Sequence, residues 1–351
     1  MAQKTIKWDR NRNVANNILE AIGRTPLVKL NRVTKEVKPE IFGKIEYLNP
    51  SGSIKDRIYY KMITKAEKEG ALKKGMKIIE ASTGNAGIAC TLVGRMLGYD
   101  VTIVMPAGMS EERFKILKIF GAEILTTPGA ESDVDLCFKK IKERKQANPG
   151  KYWEPDQFAN PDNVNAHYYG TAPEIWEQMR GRIDIFVAAQ GSGGTITGVG
   201  RYLREVKPDV KLFAVEPSEA PILSQRTWGS HKIEGIGDGF IPRNLDVSLL
   251  DGVVTVASKE AIRMTHRLAL EEGILCGISS GCNVAASLKV AKRFPDAQTI
   301  VTMIPDTGHR YLSTELFGVK KELEIPKREH PMDDYTKEEL DKYQSRWIII
   351  E

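Results

Sequence analysis

At 351 residues the chain is long enough for two domains around a large core, and its 41% apolar and 28% charged residues are the balance of a soluble globular protein. No apolar run approaches the ~18 residues of a membrane-spanning helix, and the opening stretch Met1 to Arg10 has no apolar core, which argues against a signal peptide. A net charge of +5, from 51 basic and 46 acidic residues, is too small and too dispersed to argue for nucleic acid as a partner.

Residues 1–16 are polar and read as an arm. Asn17 to Gly23 reads as a short helix stopped by glycine, followed by strands over Leu27–Leu30 and Ile41–Tyr47. After the turn Asn49-Pro50-Ser51-Gly52, Ser53 is placed to cap a helix running to Glu69. Next come a strand over Met76–Ala81, a loop from Ser82 to Gly87 and a helix through Leu97. A strand over Asp100–Met105, a helix over Glu111–Phe120, a strand over Glu123–Thr126 and a helix over Ser132–Ala147 follow. A loop from Asn148 to Asn165 returns the chain to its second unit. There the pattern predicts helices near Thr171–Met179, Ile196–Val206, Ser258–Glu272 and Cys282–Arg293, with strands over Asp184–Gln190, Lys211–Val215, Gly252–Val256 and Gln298–Ile304. The alternation predicts an α/β fold with mostly parallel sheets flanked by helices. From Val319 the composition turns charged (Lys320-Lys321-Glu322, Lys327-Arg328-Glu329), and 319–351 reads as a charged tail.

Cys90, Cys137, Cys276 and Cys282 show no paired spacing and read as reduced thiols of a cytoplasmic protein. The five histidines are scattered without a second ligand at helical or turn spacing, so no metal site is expected.

Lys55 falls in the first turn of the helix that follows Ser53. The helix dipole disfavours a cation there, and burial would lower its pKa further. A neutral lysine is a base and a nucleophile, as Schiff-base chemistry requires; taken alone, the stretch reads rather as an exposed lysine beside Asp56 and Arg57 on a solvated helix, because most lysines are solvated. A second stretch changes the balance. The apolar strand before Gln190 runs into Gly191-Ser192-Gly193-Gly194-Thr195 and then a helix. A glycine-rich turn at a helix N-terminus aims backbone N–H groups at an anion, here a phosphate. A lysine placed for a Schiff base and a phosphate cup together suggest pyridoxal phosphate. A nicotinamide-dependent dehydrogenase is the reading from another class, since Gly191-x-Gly193 follows a strand and Glu216 ends the next one. Ile196, however, stands where that fingerprint needs its third glycine.

With Asn49 to Arg57, Ser82 to Gly87, Gln157-Phe158, Gly191 to Thr195, Gly235-Ile236-Gly237 and Gly277-Ile278-Ser279-Ser280-Gly281 in this order, the chain resembles the cysteine synthase and cystathionine β-synthase family from about Asn17 to Gly318. The resemblance implies the two-domain, fold type II architecture of pyridoxal-phosphate enzymes. It implies a smaller, mobile domain over 49–160 that takes the substrate carboxylate and a larger one over 1–48 and 161–318 that takes the cofactor phosphate. Lys55 would form the Schiff base and then act as the Cα base. Gly191, Ser192, Gly193, Gly194 and Thr195 would hold the phosphate, Asn85 the ring hydroxyl, and Ser279 would face the pyridine nitrogen. Ser82, Thr83, Gly84, Asn85, Gln157 and Gly237 would line the place of the substrate. The implied reaction is β-replacement on an activated serine or cysteine with sulfide or a thiol, led by cysteine synthesis from O-acetylserine. Sulfide release from cysteine and cystathionine synthesis are the alternatives, and a homodimer is implied.

The chain departs from that family twice. Ala81-Ser82-Thr83-Gly84-Asn85-Ala86 stands where Pro-Thr-Ser-Gly-Asn-Thr is usual, so Ala86 removes a hydroxyl near the expected carboxylate. Asp238 stands where many relatives have a small or apolar residue. Facing the cavity it is a base for an incoming nucleophile; facing solvent it is a loop carboxylate.

Overall fold

The computed structural model describes residues 14–129, 133–319 and 330–351. The first thirteen residues of the arm, Ser132 at the start of one expected helix and the charged stretch over 320–329 lie outside the described residues. In chain order the strands are β1 (Leu27–Leu30), β2 (Glu40–Ile45), β3 (Lys77–Ala81), β4 (Val101–Pro106), β5 (Glu123–Thr127), β6 (Tyr152–Trp153), β7 (Ile185–Ala189), β8 (Lys211–Pro217), β9 (Gly252–Val256), β10 (Thr299–Ile304) and β11 (Ile348–Ile350). The α-helices are α1 (Lys55–Lys68), α2 (Asn85–Met96), α3 (Glu111–Ile119), α4 (Val134–Ala147), α5 (Pro161–Ala166), α6 (Ala172–Gln178), α7 (Gly194–Val206), α8 (Ile222–Gln225), α9 (Ser258–Glu272), α10 (Ile278–Arg293) and α11 (Asp334–Tyr343).

Two sheets result. A seven-stranded sheet runs β1-β2-β10-β7-β8-β9-β11, and a four-stranded one runs β5-β4-β3-β6. Every pairing is parallel except β1 with β2. β4, β9 and β10 are buried along their whole length, as parallel strands covered on both faces must be. Their sequences are accordingly apolar runs rather than alternations. In α1 the buried residues Ile58, Tyr59, Met62, Ile63 and Ala66 recur at helical spacing and pack into the core of the smaller sheet with Ile78, Ile103 and Val93.

Three expectations are corrected. The stretch over 148–165 is not a continuous loop, because β6 adds a fourth strand beside β3 and α5 starts at Pro161 with Asn160 as its cap. The helix expected from Cys282 begins four residues earlier, at Ile278, so Ser279 lies in a first helical turn and not in a loop. Ile54, not Ser53, occupies the cap position of α1; the Ser53 hydroxyl still accepts from the Lys55 N–H at 3.3 Å. The C-terminal residues carry structure of their own. Trp347 and Leu340 are buried in the larger core, and β11 pairs with β9. Three consecutive β-branched isoleucines suit an added edge strand.

The two sheets leave a cleft at the carboxyl ends of their parallel strands. β3 opens into the Ser82 loop, β7 into the Gly191 turn, and β10 into Pro305-Asp306, which is where ligands bind in open α/β sheets.

Candidate active site

The base of the cleft is set by charges buried behind α1. Arg57 is buried, and its Nε donates to Glu46 Oε2 at 2.6 Å and its Nη1 to Glu174 Oε1 at 2.8 Å. Lys44 Nζ, also buried, donates to Glu174 Oε2 at 2.8 Å. Burial opposes the charge of Glu174, but Arg57 and Lys44 outweigh it and hold its carboxyl far below the usual carboxylate range. Asn49 extends the anchor by accepting from the Gly23 N–H at 2.8 Å. The first turn of α1 is thereby fixed, and Lys55 projects from it into the cleft.

Opposite Lys55 the strand–turn–helix from β7 to α7 forms a close-fitting cup. A Cβ on Gly191 would meet Gly235 O at 2.4 Å, one on Gly193 would meet Leu245 N at 2.6 Å, and one on Gly194 would meet Asn163 Oδ1 at 1.9 Å. Gly193 also holds a φ of +79°. Backbone N–H groups and the N-terminus of the thirteen-residue α7 converge there, which suits a phosphate. Asn163 steadies the turn, its Nδ2 donating to Ser192 Oγ at 2.9 Å.

Of the expected site residues, Lys55, Thr83, Asn85, Gln157, Gly191, Ser192, Gly193, Thr195, Asp238 and Ser279 line this one cleft. Ser82, Gly84, Gly194 and Gly237 lie just behind its surface. Ser82 is buried, and its hydroxyl accepts from the N–H groups of Gly84 at 2.9 Å and Gly87 at 2.7 Å, so it shapes the start of α2. Gly237 holds a φ of +73° and its carbonyl faces His231 Nε2 at 3.1 Å. Asp238 faces the cavity and Lys55. Burial pushes its carboxyl up to about 6, with the Lys55 charge pulling the other way. Beside it Phe240 packs on Phe158 at 5.4 Å between ring centroids, and Phe158 on Phe138 at 5.5 Å, making an apolar wall.

Sequence reading missed two contributions. His167 begins a π-helical turn over His167–Thr171; its Nε2 lies 3.2 Å from Thr195 Oγ1 and its Nδ1 2.9 Å from Thr171 Oγ1. Burial, then the charges of Arg57 and Lys55, push its pKa well below the ordinary histidine value, so the ring is neutral. A π-bulge near a site is the one signal of its kind, and it is invisible in a periodicity scan. The other contribution is Asp306 to Tyr311, which lies against Asn85. Among the described residues no cluster of three or more potential ligands could hold a metal ion.

This architecture, with a lysine at one helix start and an anion cup at another across a cleft between two parallel sheets, defines a pyridoxal-phosphate enzyme. Over residues 18–306 the chain matches the family described as pyridoxal-phosphate dependent enzyme, and it belongs to that family. A cysteine synthase of Staphylococcus aureus (strain Mu50 / ATCC 700699) is 43% identical over 319 residues, covering 91% of this chain and 99% of that protein. Among solved structures, a cysteine synthase of Entamoeba histolytica is 40% identical with a TM-score of 0.84, covering 98% of this chain and 99% of the other. A hydrogen sulfide-producing enzyme of Fusobacterium nucleatum is likewise 40% identical, with a TM-score of 0.82 over 85% of this chain and 100% of that one. The cofactor is pyridoxal phosphate.

Proposed function

We propose that the protein is a cysteine synthase, converting O-acetylserine and sulfide into cysteine and acetate. The observation that carries this reading is Lys55 opposite the Gly191 to Thr195 cup, in a chain 43% identical to a cysteine synthase over nearly its whole length. Bound pyridoxal phosphate supplies an electron sink for the charge that develops at Cα of the substrate. Gly191, Ser192, Gly193, Gly194 and Thr195 would hold its phosphate, Ser279 would meet its ring nitrogen and Asn85 its ring oxygen. Lys55 takes the Cα proton, after which acetate leaves Cβ and hydrosulfide adds there. Thr83, Asn85 and Gln157 receive the substrate carboxylate at the N-terminus of α2, with Ser82 and Gly84 setting the loop. The unit over 49–160 closes on that carboxylate and excludes water, against 1–48 and 161–318 as the larger unit.

A second reading is favoured by Asp238. A carboxylate facing Lys55 at the cleft serves as base for a weaker nucleophile than sulfide, so that cysteine is also accepted and releases sulfide; the similar Fusobacterium nucleatum protein is named a hydrogen sulfide-producing enzyme. The four cysteines are free and buried, and no helix among the described residues is long and apolar enough to cross a membrane; these support a cytoplasmic enzyme. A homodimer is inferred from the family. Product analysis decides between the readings. Purified protein given O-acetylserine and sulfide should yield cysteine, and given cysteine alone should yield sulfide if Asp238 acts as described. Formation of neither product would overturn both.

A further inference from the structure

The side-chain amide of Asn85 is held at both ends. Its Nδ2 donates to Asp306 Oδ2 at 2.7 Å, and its Oδ1 accepts from Arg310 Nη1. A carboxylate only accepts and a guanidinium only donates, so the two partners leave the amide a single orientation. Its oxygen is committed to Arg310, while Nδ2 retains a second hydrogen. The side chain lines the cleft, so what it can offer a ligand there is a donor.

The holders are themselves immobile. Asp306 is 0% and Arg310 1% exposed. Asp306 Oδ2 also accepts from Tyr311 OH at 2.8 Å, and Gly277 presses so close that a Cβ there would stand 2.1 Å from Asp306 Oδ1. Arg310 Nη2 donates to the Ser51 carbonyl, and the Arg310 carbonyl accepts from Ser110 Oγ at 2.7 Å. Asp306 pairs with Ser53 through the backbone. The starts of α1 and α2, which carry Lys55 and Asn85, therefore rest on one buried pair.

We propose that Asp306 and Arg310 are positioning residues that lock the Asn85 amide with its N–H toward the cofactor ring, so that it stabilises the ring oxygen in its anionic form. This rests on the reading of the cleft as a pyridoxal-phosphate site. A donor aimed at an oxyanion is a charge-assisted hydrogen bond, and freeing the amide to turn its oxygen inward replaces that attraction by repulsion. The protonation balance of the bound cofactor, visible in its absorption, thus reports on two residues that do not touch it.

The test uses purified holoenzyme. In Asp306→Asn the partner can accept or donate, and the lock is lost. At one fixed pH, with cofactor content and far-UV circular dichroism matching the wild type, the ratio of the visible to the near-ultraviolet cofactor band should fall about tenfold, and apoenzyme should bind pyridoxal phosphate more weakly. Arg310→Gln, which loosens the other end, should lower the ratio in the same direction and provides the reading if Asp306→Asn does not fold. Tyr311→Phe leaves both bonds to Asn85 and should keep the ratio. An unchanged ratio in a folded Asp306→Asn or Arg310→Gln protein overturns the lock alone. A wild-type holoenzyme with no visible band overturns the site reading and the lock with it.

Discussion

Arg113 of α3 packs on Gly84 so closely that a Cβ on Gly84 would stand 2.0 Å from Arg113 Nε. Arg113 is buried, its guanidinium lies over the Tyr311 ring at 4.7 Å, and its Nη1 pairs with Glu234 on the far side of the cleft. The loop expected to meet the substrate carboxylate is thus shaped by an arginine that sequence alone does not point to. Gly84→Ala should lower stability by about 1–3 kcal/mol, because the backbone at φ +158° and the arginine cannot both be kept. It should also raise KM for O-acetylserine more than it lowers kcat. Thermal denaturation and initial rates check both; a Gly84→Ala protein with unchanged KM would remove the loop from substrate binding.

Lys55→Ala should abolish the visible cofactor band and reduce turnover by at least the ~10²–10⁴-fold typical of a lost general base. The glycine cup remains, so weakly held cofactor should still be found by fluorescence titration. A variant keeping both the band and the activity would take Lys55 out of the reaction.

Asp238 gives a pH prediction with a definite sign. A carboxyl raised to about 6 becomes a base only above that pH, so sulfide release from cysteine should rise with pH through about 6. Asp238→Asn should flatten that limb and slow sulfide release far more than cysteine synthesis, since hydrosulfide needs little help from a base. Stability runs the other way. The folded state binds its proton more tightly than the unfolded chain, so Asp238 makes folding less favourable as pH rises from about 4 to about 6. Asp238→Asn should therefore raise Tm above pH 6 and leave it unchanged at low pH. Equal losses in both reactions would return Asp238 to a loop carboxylate.

Glu174→Gln should cost about 3–5 kcal/mol, because Arg57 and Lys44 would remain buried with half their compensating charge removed. Its folded carboxyl lies below the unfolded value, so the wild-type contribution is complete above the unfolded pKa and fades as pH falls toward the folded one. Chemical denaturation at pH 7 and at low pH should show the variant and wild type converging in acid.

Much of the fold is legible in the chain because its central parallel strands are apolar on both faces; Gly252–Val256 stands where its run predicts. β6, with two residues, is too short to show any period, and its place beside β3 is decided by the sheet. The glycine cup reads directly, since its steric demand is local. The start of α10 does not: Gly277 and Gly281 look like loop residues, yet both are glycine because Asp306 and Ala261 crowd them from other elements. Glu174, Asp306 and Arg310 look like any surface charges, because only tertiary packing decides which charges are buried.

The order of strands in the larger sheet bears on how the chain is made. β3 to β6 form the smaller sheet from one uninterrupted stretch, residues 77–153, which can pair while the rest is still being synthesised. The larger sheet places β10 between β2 and β7 and ends on β11, so its early strands wait for a neighbour more than two hundred and fifty residues downstream. Until Thr299–Ile304 leaves the ribosome, Glu40–Ile45 has β1 as its only partner among the described strands of that sheet. A nascent chain paused before that point would hold one finished domain and one exposed, unpaired apolar edge, the state that chaperones recognise.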